Sequence, residues 1–208
     1  MSIEIILGDF REKILDIPDG SVDLVITDPP YLTEHLDLFP DIGEQSARIL
    51  KDDGSLVIIV AAHLLDKQIA MLSEHLKFYW LFGMGSRSRM RRLFLQRLMS
   101  RFKPVLWFVK GKPKNRFMND FVTPVEWGGT QDDHKWGQPI DWFEYYIKHM
   151  TQEGDLVCDP FVGAGSSAIA CKRQGRRFIG FEIDPLYHTI AQVNLEGVFR
   201  QGLFKEMA

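Results

Sequence analysis

The sequence predicts an α/β fold, a mostly parallel sheet with helices on both faces, and three observations carry that prediction. Short, nearly continuous apolar runs recur along the chain, at Ile3–Leu7, Val22–Thr27, Ser55–Ala61 and Asp155–Cys158. Runs of that length suit strands covered on both faces, as in parallel sheets. Between them lie segments with apolar residues at helical spacing, such as Ile140, Phe143, Ile147 and Met150. Compact turn signals rather than long linkers bound most of these segments.

Taken in order, Ile3–Leu7 is the first strand, and Val22–Thr27 follows the turn residues Pro18-Asp19-Gly20. A helix is expected from about Ile42 to Leu50, stopped by Asp52-Asp53-Gly54 before strand Ser55–Ala61. Another helix fits Ala62–Leu76, and aromatic-rich Lys77–Gly83 and Pro104–Lys110 are expected as the outer strands. Ser86–Phe102 spaces Met90, Phe94, Leu98 and Phe102 four apart, which predicts an amphipathic helix. Gly111–Gln138 reads as the longest loop, and long loops in compact domains tend to carry function or lack order. Ile140–Met150 is a helix whose stripe packs the core. After Asp155–Cys158, Ser166 and Ser167 are placed to cap a helix through Ala168–Cys171. Strand Arg177–Ile183 and a helix through Tyr187 close the chain.

At 208 residues a single domain is expected, and 45% hydrophobic with 25% charged residues is the balance of a globular protein. The first residues carry an acid and no long apolar core, so no signal peptide is read there. The most apolar stretch, Leu56–Ala62, is too short to span a bilayer, and no membrane partner is expected. Two cysteines, Cys158 and Cys171, read as buried thiols of a reducing, cytoplasmic compartment. The six histidines lack metal-ligand spacing, so no metal is expected.

Net charge is only −3, but its distribution is uneven. From Lys77 to Met118 there are twelve Lys and Arg and no Asp or Glu, leaving 13 basic residues for all 28 acids elsewhere. A solvated helix face is the bland explanation of such charge. The functional one is a surface that tracks phosphates, carried by Arg87, Arg89, Arg91, Arg92, Arg97, Arg101, Lys112 and Lys114. Uninterrupted single-sign charge favours the second.

Two motifs carry chemistry. Asp28-Pro29-Pro30-Tyr31 ends the Val22–Thr27 strand and joins a carboxylate, a stiff backbone and an aromatic ring. The prolines fix φ and remove two N–H donors, leaving acceptors beside a ring. That set suits gripping the exocyclic amino group of a flat base, although Asp-Pro also occurs in ordinary strand exits. The second motif, Asp159-Pro160-Phe161-Val162-Gly163-Ala164-Gly165, lies between a strand and a helix. With Glu182 near the end of the next strand it forms a nucleoside-binding βαβ unit, the acid placed for ribose hydroxyls. Gly163-x-Gly165-x-x-Ala168 also satisfies a dinucleotide fingerprint, so a nicotinamide dehydrogenase is a rival reading.

Together the motifs resemble the DNA amino-methyltransferase family, which methylates adenine N6 or cytosine N4 from S-adenosylmethionine. The first motif precedes the second by about 130 residues, the permuted order of the family's β class. Leu7-Gly8-Asp9, the segment Ile17–Leu24, the turn Ile49–Leu56 and Gly175–Glu182 are similar to other family segments. The resemblance covers both ends of the chain well and the middle poorly. One departure is Gln138-Pro139, where the family often has Lys-Pro. Neither cysteine follows a proline, so the Pro-Cys nucleophile of cytosine-C5 enzymes is absent.

The resemblance implies a Rossmann-like S-adenosylmethionine-dependent methyltransferase fold. It implies a cofactor site at Asp9, Asp159, Pro160, Phe161, Gly163, Gly165, Ser166 and Glu182, with Asp28, Pro29, Pro30 and Tyr31 catalytic. Asp9 is equally readable as a strand-end cap. Asp at the head of the first motif points to adenine, since cytosine-N4 members more often carry Ser there. The expected partner is DNA, with RNA and a homodimer left open, and residues 84–138 are expected to form a basic arm and recognition insert. The alternatives are cytosine-N4 DNA methylation, RNA adenine methylation, a non-enzymatic nucleic-acid-binding module and the dehydrogenase, which leaves the first motif and the arm without a role.

Overall fold

The computed structural model describes residues 2–30, 33–85, 91–93, 97–114, 116–123 and 140–206, with backbone alone for 91–93 and 198–206. The chain begins with β1 (Ile3–Leu7), α1 (Phe10–Lys13), β2 (Val22–Thr27), α2 (Leu38–Ile49), β3 (Leu50–Ile59), α3 (Leu65–Ser73) and β4 (Lys77–Gly85). It continues through β5 (Arg91–Leu93), β6 (Leu98–Ser100), β7 (Phe102–Val109), β8 (Phe121–Val122) and α4 (Ile140–Met150). It ends with β9 (Leu156–Asp159), α5 (Ser166–Arg173), β10 (Arg177–Glu182) and α6 (Pro185–Glu206).

Eight strands form one sheet in the order β1-β10-β9-β2-β3-β7-β4-β8. The pairs β1–β10, β10–β9, β9–β2 and β2–β3 are parallel, and β7 runs antiparallel to both its neighbours. Side chains alternate across the sheet, so successive residues of one strand feed two cores. Leu24, Ile26, Val57, Ile59 and Trp107 pack with Trp142, Phe143, Tyr146 and Ile147 of α4 on one face. Val25, Leu56, Ile58 and Phe108 pack with Phe39, Ile42 and Ile49 of α2 on the other. Burial on both faces explains why these runs show no polar alternation.

The order of strands places the functional end. From β9 the chain moves through α5 to β10 on one side, and from β2 through α2 to β3 on the other. The sheet therefore reverses its winding between β9 and β2. Ligands of open α/β sheets lie outside the carboxyl ends of strands at such a switch point. Asp159 ends β9 and Asp28 follows β2, so both motifs stand there.

Some elements depart from expectation. The predicted amphipathic helix across Ser86–Phe102 is not formed, because β5 and β6 pair antiparallel with Arg91 opposite Ser100 and Leu93 opposite Leu98. β4 and β7 are sheet neighbours, with Gly85 opposite Phe102, so the chain must reverse between them. Paired short strands make that reversal with their backbone groups satisfied, and tertiary pairing overrides the local spacing. Arg97, at φ 51°, is a left-handed residue at the turn before β6. α2 starts earlier than expected and carries Pro40 in its first turn, where a missing N–H costs nothing. β3 begins at Leu50 rather than Ser55, with an irregular register against β2. Residues 62–64 form a 3-10 turn ahead of α3. Among the described residues no helix is long and apolar enough to cross a membrane.

Candidate active site at the switch point

Asp28 is half-buried, Pro29 is buried and Pro30 is exposed at the exit of β2, while Tyr31 lies outside the described residues. The second motif leaves β9 and bends sharply. Gly163 has φ 55° and Gly165 φ 93°, a region that L side chains rarely adopt. At Gly163 a Cβ would project into open space, so this part of the turn presents bare backbone. At Gly165 it would meet the backbone and Cβ of Ala191 on α6, at 3.2 Å. One glycine keeps a surface open and the other lets α6 approach.

Glu182 holds this turn. The Gly163 N–H donates to its Oε2 and the Asp184 N–H to its Oε1, each at 2.8 Å. Each oxygen retains a further lone pair, so the half-buried carboxylate remains able to accept from a ligand hydroxyl.

Asp159, expected against a cofactor, is turned inward instead. Its carboxylate is 1% exposed and accepts from Thr27 Oγ1 at 2.7 Å, Ser167 Oγ at 2.5 Å and the Phe161 N–H at 2.9 Å. Burial pushes its pKa up to about 6, opposed by the three donors. Ser167 is thus engaged by the acid rather than by a helix cap, and Gly165 occupies the cap position of α5 without a side-chain bond. Ser166 is the first helical residue and is half-buried.

Asp9 takes the cap role. It accepts the Arg11 N–H at 2.9 Å and pairs with the Arg11 guanidinium, Nη2 to Oδ2 at 3.0 Å. The hydrogen bond from Arg11 lowers its pKa. Phe10 stacks at a tilt on Phe161, ring centroids 4.9 Å apart, which brings the α1 segment to the glycine turn.

The structure therefore gathers Asp9, Asp28, Pro29, Pro30, Phe161, Gly163, Gly165, Ser166 and Glu182 around one end of the sheet, with Asp159 and buried Pro160 beneath. The reading by sequence missed Thr27 and Arg11 and took Ser167 for a helix cap rather than a partner of Asp159. Thr27 carries a faint signal, a hydroxyl in an otherwise apolar run that ends at the first motif. Of the basic residues, Arg97, Arg101 and Lys112 are exposed, and Lys114 pairs with Asp53. Arg91 and Arg92 lie in β5 with side chains outside the described set; Arg87, Arg89 and Gln138-Pro139 are outside it altogether.

A parallel sheet that reverses its winding, with a glycine turn and a carboxylate at the switch point, places the chain in the open α/β class whose ligands bind at that point. The profile of a DNA methylase family of the N6/N4 type matches residues 122–193. The type II methyltransferase M.BglII of Bacillus subtilis is 27% identical across 91% of this chain and 68% of its own length. A crystal structure of M1.HpyAVI with SAM superposes with a TM-score of 0.80 at 25% identity, covering 93% of this chain and 98% of that one. The cytosine-N4-specific PvuII DNA methyltransferase gives 0.83 at 19% identity over 97% and 92%, a likeness of fold. Over residues 122–193 the chain is similar to N6/N4 DNA methylases, and over most of its length it is similar to type II DNA methyltransferases.

Proposed function

We propose that this chain transfers a methyl group from S-adenosylmethionine to the exocyclic N6 amino group of adenine in DNA. The observation that carries the reading is the placement of Asp28 and the open glycine turn at adjacent strand ends, across the switch point from each other.

The turn fits the cofactor. The bare backbone at Gly163 accommodates close approach, Glu182 has acceptor capacity for ribose hydroxyls, and Phe161 and Ser166 stand on either side of the same turn. Asp9 borders it through the Phe10–Phe161 contact, while Asp159 and Pro160 buttress it. When bound there, S-adenosylmethionine supplies an electrophilic methyl group.

The chain's own task is to make an aromatic amine nucleophilic. The adenine amino lone pair is delocalised into the ring. Asp28 and the Pro29 carbonyl accept its two N–H bonds, draw the nitrogen towards tetrahedral geometry and stabilise the positive charge that develops on it. Tyr31 stacks on the base, which has left the duplex to reach the pocket. Alignment of amine and methyl donor supplies the rest of the acceleration. The exposed Arg97 and Arg101, with Arg87, Arg89, Arg91 and Arg92, form the phosphate-tracking arm. The expected insert at about 84–138 is interrupted by β7, a strand of the sheet, and Lys112 and Lys114 follow that strand at the end of the sheet away from Asp28, where Val109 pairs with Ser55 and Lys114 with Asp53.

Adenine rests on Asp28 at the head of the motif. Cytosine N4 is the second reading, because the matching family model covers both N6 and N4 enzymes. The test is tritiated methyl transfer to unmethylated DNA and to RNA, followed by identification of the labelled nucleoside. N6-methyladenine in DNA is expected. N4-methylcytosine overturns the base assignment, label in RNA alone overturns the polymer, and cofactor binding without transfer reduces the chain to a binding module.

A further inference from the structure

Thr27 is the last residue of β2 and is fully buried. Its hydroxyl donates to Asp159 Oδ1 at 2.7 Å, although 132 residues separate the two in sequence. The same carboxylate accepts from Ser167 Oγ on α5 at 2.5 Å and from the Phe161 N–H of the glycine turn at 2.9 Å. One buried acid is thus tied to the end of β2, to the turn and to the helix that follows it. Thr27 is bonded directly to Asp28, so any movement at Thr27 is passed to the acceptor of the target amine.

A buried hydrogen bond at this place is not needed to complete the sheet. β2 and β9 already pair through Leu24–Val157 and Val25–Cys158, and an apolar side chain at position 27 would continue the run. The hydroxyl instead links the two motifs by their side chains, where the ladder has ended. We propose that Thr27 is a positioning residue for methyl transfer, holding Asp28 at a set distance from the cofactor turn through Asp159. The assignment rests on the methyltransferase reading above. Thr27 touches neither substrate; it acts by preorganising a group that does, and loose support of such a group is felt mainly in the rate.

The test compares Thr27→Val, which keeps the shape and removes the hydroxyl, with Thr27→Ser, which keeps the hydroxyl. With S-adenosylmethionine and unmethylated DNA, Thr27→Val is expected to lower kcat by roughly 10- to 100-fold, the range set by small misplacements. Its S-adenosylmethionine Kd by calorimetry and its KM for DNA stay within about twofold, since no binding group is removed. Thr27→Ser returns kcat to within about threefold of the unaltered chain, because the bond to Asp159 is restored. A Thr27→Val enzyme with unchanged kcat overturns the assignment. So does a Thr27→Ser enzyme as slow as the valine variant, which would trace the loss to methyl packing. Parallel losses in Tm, cofactor affinity and kcat would show a structural role only. If Thr27→Val does not fold, Thr27→Ala deletes the same hydroxyl without adding bulk and carries the same expectation. Failure of the underlying reading is visible separately, as absence of transfer by the unaltered chain, and it takes this assignment with it.

Discussion

The backbone N–H of Gly163 donates to Oε2 of Glu182 at 2.8 Å, fastening the glycine turn after β9 to the end of β10. The other oxygen of the same carboxylate accepts from Asp184 N–H. Glu182 is therefore a splint for the turn as well as the proposed ribose acceptor. A glutamine has one acceptor oxygen where the carboxylate has two, so one amide must lose its partner. Glu182→Gln is expected to weaken S-adenosylmethionine binding by about 1–3 kcal/mol, the range for hydrogen bonds to charged groups. Calorimetric affinity equal to that of the unaltered chain would remove Glu182 from both roles.

Asp28 divides binding from chemistry. Its carboxylate is assigned to the target amine, and the turn is held by other residues. Asp28→Ala is expected to lower kcat by about 10²-fold or more, as for loss of a preorganised transition-state contact. Cofactor affinity should stay near normal. Retention of more than half the activity would take Asp28 out of the mechanism.

The two glycines of the turn separate folding from ligand binding. Gly165 is at φ 93°, and a methyl group there would stand 3.2 Å from the Ala191 backbone, so Gly165→Ala is strained in conformation and in space. A loss of about 1–3 kcal/mol in unfolding free energy is expected. Gly163 is at φ 55° with open space at its Cβ position. Gly163→Ala should cost only about 1 kcal/mol of stability, yet weaken cofactor binding, because its methyl enters the open space that the bare turn leaves for the ligand. Urea titrations and calorimetry on both variants check the contrast, and equal effects on binding would show that Gly163 does not face the ligand.

Asp159 gives the fold a pH dependence. Burial raises its pKa from an ordinary 3.8 to about 6, so the folded chain holds the proton more tightly than the unfolded one. Its contribution to stability is fully present below about pH 4 and is lost as pH rises through about 6. The whole span corresponds to about 3 kcal/mol. Asp159→Asn keeps the shape and does not titrate. The stability of the unaltered chain relative to Asp159→Asn should therefore fall between pH 4 and pH 7 in urea unfolding. A difference that stays level across that range would show that the buried carboxylate does not titrate there.

How much of this could be read from the residues depends on the range of the interaction. β1, β2 and α4 have the bounds that periodicity predicts, because continuous apolar runs and a helical stripe are local signals. The order of the two motifs is read directly along the chain, whereas the switch point between them depends on the pairing of β9 with β2, which no local signal fixes. The reversal at residues 91–100 was hidden, because i+4 spacing also occurs by chance in a hairpin and only the pairing of β4 with β7 decides it. The inward turn of Asp159 was hidden for a related reason. Its partners Thr27 and Ser167 lie 132 and 8 residues away, and no spacing rule links a carboxylate to a hydroxyl on another strand.

The middle of the chain bears on target length. Residues 32–138 must supply α2, β3, α3, β4 and β7 of the shared sheet and its cover, which leaves the β5–β6 hairpin and the segment beyond Gly111 for recognition. Arginine reads guanine edges, but a surface this small makes many phosphate contacts and few base contacts. A short or relaxed target sequence is expected, with affinity that falls steeply as salt rises. Arg97 and Arg101 are both exposed, and the double change Arg97→Gln with Arg101→Gln should flatten that salt slope by about two phosphate contacts' worth while leaving the sequence preference in place. Sequencing of methylated sites on a random DNA library reads the preference directly, and filter binding across a salt series reads the slope. A strict site of about six or more base pairs, read by the monomer, would show that the insert specifies more than its size allows.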